Sequence, residues 1–458
     1  MRRFIGSKKF YKMVLAIAIP IVIQNGITNF VGLLDNIMVG RVGTDQMSGV
    51  SIVNQLFFVF NLCIFGAISG VGIFSAQYHG QKNHEGVRYS FRFKLVICFL
   101  LTLIGVGIFL FWGDALIHLY LHEGSNTGNI AETLKFAKKY LWIMLFGLLP
   151  FAIEQSYSGT LRETGETVVP MKAGIVAVFV NLIFNYLLIY GKFGLPVMGV
   201  QGAAIATVIS RFVECTIIVL WTHKNSKRNL FILGVYHHFN IPIALCKKII
   251  IKGMPLLINE FLWSSGMAIM TQCYSVKGLA VIAGLNISTT ITNLFSIFTF
   301  AMGSTVAIIV GQKLGAGDFE DAKDTAGKII FMSVSVSVVV GFSMILLAPF
   351  FPAIYNTSDE VKSLAKSFIQ IFGLSMPIQA YTNATYFTLR SGGKTFITFL
   401  FDSVYVWIIA IPTAFMLTRY TILSILMIYF ICQFIDIIKC SVGFFMLKKG
   451  VWLQNIVN

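Results

Sequence analysis

Charge is scarce in this chain. Asp, Glu, Lys and Arg together make up 12% of its 458 residues, about half the share of a soluble domain. That speaks against an aqueous globular protein. Its seven cysteines, at 63, 98, 215, 246, 273, 432 and 440, include no CxxC pair. They support neither a disulfide framework nor a zinc site and read as small apolar packing. There is no GxxxxGK[ST] loop, so ATP does not drive the chain directly, and no HExxH motif to hold a catalytic metal. A membrane-embedded enzyme would need His, Asp or Glu clustered at one membrane face, and the sequence shows none. A cleavable leader is also missing: the apolar run after "MRRFIGSKKFYK" is too long for a signal h-region and has no small-residue cleavage site. It reads as a first span that stays.

What remains is mostly apolar. Hydrophobic residues reach 56% and the mean hydropathy is +0.79. Long apolar stretches recur roughly every 30 to 40 residues, the mark of a polytopic helical membrane protein; a β-barrel would show short alternating segments. The runs predict twelve spans, near 13–39, 47–78, 91–112, 131–158, 168–190, 197–221, 245–272, 279–311, 327–349, 361–389, 396–417 and 420–447. The net charge of +16 needs no nucleic acid to explain it. Its bases collect in alternate loops, among them Arg2, Arg3, Lys8, Lys9, Lys12, Lys82, Arg88, Lys224, Lys227, Arg228, Lys448 and Lys449. The positive-inside rule places that side in the cytoplasm, with both termini. The expected location is the plasma (inner) membrane.

The chain repeats itself. At a shift of 235, Pro20 falls on Pro255, Gly43 on Gly278, Gly49 on Gly284, Phe65 on Phe300, Gln77 on Gln312 and Gly80 on Gly315. Further on the shift becomes 228, and "LRETGET" (161–167) lies over "LRSGGKT" (389–395). The expected architecture is two six-helix lobes, 1–222 and 245–458, joined by a basic cytoplasmic linker over 223–244. Six spans per lobe make both lobes enter the membrane from one side, so the relating pseudo-twofold axis runs along the membrane normal.

Six acids fall inside the expected spans: Asp35, Glu154, Glu214, Glu260, Asp402 and Asp436. A carboxylate near the middle of a membrane helix costs about 2.5–3.5 kcal/mol on insertion scales. Glu214 follows Arg211 and Lys439 follows Asp436 at three-residue spacing, which reads as self-neutralised helix pairs. Glu154 has Arg162 as a nearby loop base. Asp35 has no base on its own helix. It shares a polar stripe with Gln24 and Thr28, below Pro20, whose missing N–H interrupts the hydrogen-bond ladder and allows a bend. Such a stripe belongs against water rather than lipid. Asn181 and Asn185, one helical turn apart, can aim both amide oxygens at a hard cation beside Asp35, or hydrogen-bond its carboxyl if the site takes a proton. Thr207 is a further candidate ligand. Glu260, beside Asn259, is the best acid of the second lobe, with Asp402 behind it. The 17 Met and 42 Phe suit soft walls for varied flat ligands, though most must simply pack or face lipid.

Taken together, "LLDNIMVGRVG" (33–43), "LRETGETVVPM" (161–171), "NLIFNYLLIYG" (181–191), "GVQGAAIATVIS" (199–210) and "PLLINE" (255–260) resemble the multidrug and toxic compound extrusion family, MATE. The resemblance covers both lobes. It implies the MATE fold, an all-α polytopic membrane protein of twelve transmembrane helices. It implies an antiporter exchanging Na⁺ or H⁺ for organic, often cationic, compounds. Asp35 matches the family's first-helix aspartate, which binds the coupling ion, with Na⁺ as its metal if the coupling is to sodium. Asn181 matches the helix-five asparagine of that site. Glu260 matches the helix-seven acid of NorM-like members. Where those members carry a helix-ten acid, this chain has Gln379, and Lys394 replaces the acid of a Gly-Asp-Thr turn; Asp402 is the candidate substitute. Gln24, Thr28, Glu260, Asp402 and Gln379 then form the expected substrate or second cation site, and Pro20 the hinge. No covalent cofactor is expected; membrane lipids are, and the chain should act as a monomer. The rival reading is a flippase of a lipid-linked precursor from the same broad superfamily.

Overall fold

A computed structural model describes residues 5–119, 130–237, 240–355 and 357–458; Arg2 and Arg3 lie outside them. Every regular element among the described residues is helical. In a bilayer a backbone must satisfy its own hydrogen bonds, and a helix does so within one segment. In chain order these are α1 (Lys8–Gly40), α2 (Thr44–Gly80), α3 (His84–His118), α4 (Ile130–Glu163), α5 (Val168–Tyr190), α6 (Val200–Lys224), α7 (Ile243–Ser275), α8 (Leu279–Gly315), α9 (Phe319–Leu347), α10 (Asp359–Ser391), α11 (Thr395–Tyr420) and α12 (Ile425–Lys449). Among the described residues, ten of these helices are long and apolar enough to cross a membrane. The other two, α7 and α10, interrupt their apolar runs with residues such as Asn259, Glu260, Gln379 and Asn383. The long helices run past the expected span ends. Thirty-three residues at about 1.5 Å each exceed a hydrocarbon core of about 30 Å, so α1 must tilt or protrude.

Two helices are irregular for identifiable reasons. A 3₁₀ turn at Leu145–Gly147 interrupts α4, just ahead of Pro150, whose ring disfavours regular helix there. Wide π turns at Leu400–Val404 and Val406–Ala410 precede Pro412 in α11. Helix starts at Ser358 and Ser424 are capped by their own hydroxyls, and α5 ends on Gly191 in the left-handed region, φ +63°, which glycine adopts without strain.

The chain divides into two compact units. One holds the residues up to Val22, Ala76–Asn83 and Ile250–Asn458; the other holds Ile23–Ser75 and His84–Ile249. The second of these packs around Val53, Phe57, Phe60, Tyr140, Leu141 and Ala204. Gly202 lets α6 lie directly on the Leu188 backbone of α5, where a Cβ would stand 2.7 Å from the main chain. The segment after α6 is fastened to α3 by Arg92, which donates to the carbonyls of Val235 (2.8 Å), Gly234 (2.8 Å) and Asn240 (3.1 Å).

The other unit is built around Val306, Ile309, Leu314, Ile329, Leu389 and Trp452. Here the sequence repeat becomes a contact. Gly80 lies against the backbone of Gln312, and its repeat partner Gly315 lies against the backbone of Gln77; a side chain at either glycine would overlap that backbone. Gln77 also donates to the carbonyl of Ser391 (2.9 Å) and accepts from the Ile456 amide (2.8 Å). On α3, Leu103, Ile104, Phe111 and Trp112 are exposed, a face suited to lipid. Hydroxyls inside the helices return to their own backbone, as Thr102 does to Cys98 (2.7 Å) and Thr305 to Ala301 (2.8 Å).

Candidate functional site

Asp35 sits near the end of α1 and is met by α5. Asn185 donates its amide to Asp35 Oδ1 at 2.6 Å. Asn181, one turn earlier, faces the same carboxylate. With its nitrogen turned toward Asp35 it donates to Oδ1 (2.9 Å) and Oδ2 (3.2 Å) while its oxygen accepts from Thr207 Oγ1 (3.3 Å). Turned the other way, its oxygen accepts from Asn185 (3.0 Å). Both asparagines are buried, and the carbonyl oxygen of Asn185 has no hydrogen-bond partner. No base forms an ion pair with Asp35 among the described residues. Asp35, Asn181, Asn185 and Thr207 therefore form one oxygen-rich group with a single negative charge. The close seating of Gly202 on α5 brings Thr207 to it.

Two members of this group lie beyond the sequence signals. Tyr140 of α4 is buried, its hydroxyl beside Thr207, and it donates to Asn54 of α2 at 3.3 Å. Neither residue belongs to a motif. Helix packing alone brings them together, and only the unusual pairing of two polar side chains in apolar runs could have marked them.

The stripe on α1 divides. Gln24 accepts from Arg162 at 2.8 Å and stands beside Glu214 across Gly174. Thr28 donates to its own helix at the Gln24 carbonyl (2.9 Å). Glu154 is buried and accepts from Gln155 (2.8 Å) and Ser158. Arg211 stacks over Phe151 at 4.5 Å, with Glu154 and Glu214 as facing charges. The expected Arg211–Glu214 couple is thus part of a wider network of facing charges, to which the fully buried Lys94 adds an ion pair with the partly buried Glu163.

In the other unit, Asp402 is held from two sides. Asn259 donates to Oδ2 at 3.1 Å, and Lys439 to Oδ1 at 3.1 Å. Lys439 was expected to pair with Asp436, three residues before it on α12. Its hydrogen bond goes instead to Asp402 on α11, since a helix neighbour at that spacing competes with any acid that packing brings nearer. Asn259 is locked in turn by Ser403, whose hydroxyl donates to its side chain (2.7 Å) and carbonyl (2.8 Å). Glu260 accepts no hydrogen bond among the described residues; Arg390 and Asp402 are the charges that face it. Gln379 points elsewhere, to Ser375 (3.1 Å) and Gln433 (3.2 Å). No group of three or more His, Cys, Asp and Glu that could hold a metal ion occurs among the described residues.

A family model described as MatE matches residues 20–187 and 255–416. A probable multidrug resistance protein NorM of Thermotoga maritima is 27% identical over 447 residues, 97% of this chain and 94% of that protein. A probable multidrug resistance protein YoeA of Bacillus subtilis is 25% identical over 413 residues, 89% and 87% of the two chains. Among solved structures, a MATE protein in its straight conformation superposes with a TM-score of 0.87 at 19% identity, covering 99% of this chain and 98% of that one. A transporter of Pyrococcus furiosus, described as having a binding pocket of reversed polarity, superposes with a TM-score of 0.84 at 18% identity, with 98% of each chain covered. The twofold match of the family model, once in each half, reproduces the internal repeat.

Proposed function

The chain belongs to the MatE family, a family of multi-pass membrane transporters rather than enzymes, and from that premise we propose that it exports organic, mainly cationic, compounds by antiport against Na⁺ or H⁺. The names of its relatives support the multidrug part of this reading. The observation that carries the coupling part is the Asp35 group: one carboxylate, two buried amides and a hydroxyl, with no base in ion-pair contact among the described residues. An acid buried without a counter-charge is unfavourable unless a cation or a proton joins it. The donor set fits a hard cation, which takes oxygen ligands, and the unpartnered Asn185 oxygen is available to one. A proton would serve equally, with Asn181 turning its amide to suit the neutral or charged acid.

The cation enters from outside, joins Asp35 and favours a repacked or bent α1 at Pro20. The organic compound favours the other state. Drug and ion thus stabilise different conformations, which is what coupling requires. Glu260, facing Arg390 without a hydrogen bond of its own, attracts the cationic compound. The protein works as a monomer in the plasma membrane, with both termini in the cytoplasm. Asp35→Asn tests the reading. The variant should fold, measured by its melting curve, and lose dye efflux from cells. Efflux at the wild-type rate in a folded Asp35→Asn variant would sink it.

A further inference from the structure

Two acids in this protein share a setting. Asp35 takes a hydrogen bond from the Asn185 amide, and Asp402 takes one from the Asn259 amide. They differ in what occupies the remaining side. Beside Asp35 no base stands within ion-pair distance among the described residues. Beside Asp402 stands Lys439, 3.1 Å away and buried. Its ammonium is flanked by the rings of Tyr405 (5.1 Å) and Phe401 (5.5 Å), and Asp436 faces it from the same helix. Carboxylate below, aromatic faces at the side and a second acid nearby make the surroundings of a bound monovalent cation, with the ion attached to the chain.

The repeat sharpens the contrast. At the register of 228 that lays 161–167 over 389–395, Lys439 falls on Arg211. Both halves therefore carry a base at the same place on their last helix, Lys439 buried and Arg211 partly so. In the first half Glu154 and Glu214 face that base, and it stacks on Phe151, leaving Asp35 open. In the second half the base reaches the acid itself. Asp402 lies in the π turn Leu400–Val404, a backbone form frequent at functional sites.

We propose that Lys439 is a tethered cation, filling at Asp402 the place that an exchangeable ion fills at Asp35, so that one exchangeable coupling site remains per chain. This rests on the reading of Asp35 given above. An ammonium has the unit charge of an alkali ion and similar size, but it cannot leave. The second half keeps the electrostatic shape of an ion site without its exchange, and Glu260, which faces Arg390 and accepts no hydrogen bond among the described residues, remains for an organic cation.

The test removes the tether from the full-length purified protein. Melting temperatures are measured in NaCl, KCl and NH₄Cl against choline chloride at equal ionic strength. The background is Asp35→Asn, so that the first site contributes nothing. Asp35→Asn alone should not respond to the small cations. Adding Lys439→Ala should create a concentration-dependent rise in melting temperature with at least one of them, and adding Asp402→Asn as well should abolish that rise. A Lys439→Ala protein that folds only when a small cation is supplied also supports the proposal.

Three results would overturn it. One is a folded Lys439→Ala protein no more responsive than its background. Another is a cation response already present in Asp35→Asn, which would mean a second exchangeable site in the native chain. The third is a Lys439→Ala protein that unfolds in every salt, whether or not Asp402→Asn rescues it, since no outside cation then replaces the ammonium. The Asp35 reading fails separately, through ion-driven efflux that persists in Asp35→Asn.

Discussion

At the scale of single residues, the protein treats its membrane acids in two ways. Asp402 is bonded on both oxygens, by an amide and an ammonium; Asp35, among the described residues, is bonded by amides. A pair such as Asp402–Lys439 is costly to break by removing one partner, about 3–5 kcal/mol when buried. Among the described residues Asp35 has no such partner to lose, which is the setting the proposed exchangeable ion requires. Asn185 is the residue that should tune that ion's affinity. A hydrogen bond to a charged group contributes about 1.5–3 kcal/mol. Asn185→Ala should therefore raise the cation concentration for half-maximal efflux by about 10- to 100-fold while sparing the fold. A half-saturation point that does not move would remove Asn185 from the site.

Asp35, Asn181 and Asn185 were legible in the sequence because their signals are local: a lone acid in an apolar run, and two amides one turn apart. Tyr140 and Asn54 were not, since their contact spans α2 and α4 and neither breaks a local rule. The partner of Lys439 was misread for the same reason. Asp436 is near in sequence, whereas Asp402 is near only after α11 and α12 pack.

At the scale of helices, glycine placement explains the close crossings. Gly80 and Gly315 each seat against the opposite repeat's glutamine backbone, and the repeat register already paired them. Gly315→Val would force these backbones apart. Overpacking of this kind costs about 1–3 kcal/mol, so its melting temperature should fall clearly. Gly107→Ala on α3, with nothing within 4 Å of the added carbon, should leave it unchanged or raise it. Equal behaviour of the two would discount the crossing. Pro20 is a different case. It lies within α1, which stays one helix from Lys8 to Gly40, and the boundary between the two units falls just after it, between Val22 and Ile23. Pro20→Ala should slow efflux while leaving the cation's half-saturation within about twofold, the signature of a hinge rather than a ligand. Span positions and the proline were readable from hydropathy and composition. The 3₁₀ turn in α4 and the π turns in α11 were not, because a proline marks a disturbance without choosing the form it takes.

At the scale of the whole molecule, the repeat gives two similar halves, and substitution has made them chemically unequal. Asp35 falls on Met270 in the second half, and Glu260 falls on Asn25 in the first. Among the described residues, one half holds an acid without a paired base; the other holds an acid with its base built in and a further acid, Glu260, without a hydrogen bond. The proposed exporter, coupled through one half and selecting cationic cargo with the other, would make use of that inequality.

The central claim is exchange, and it is best tested by watching both fluxes at once. Purified protein in liposomes would be loaded with an organic cation dye, and a Na⁺ or H⁺ gradient imposed from the opposite side. Coupled exchange would show dye leaving as one of these ions enters, each flux requiring the other, and both lost in Asp35→Asn. Dye movement with no opposing ion flux, or ion-coupled exchange that survives Asp35→Asn, would contradict it.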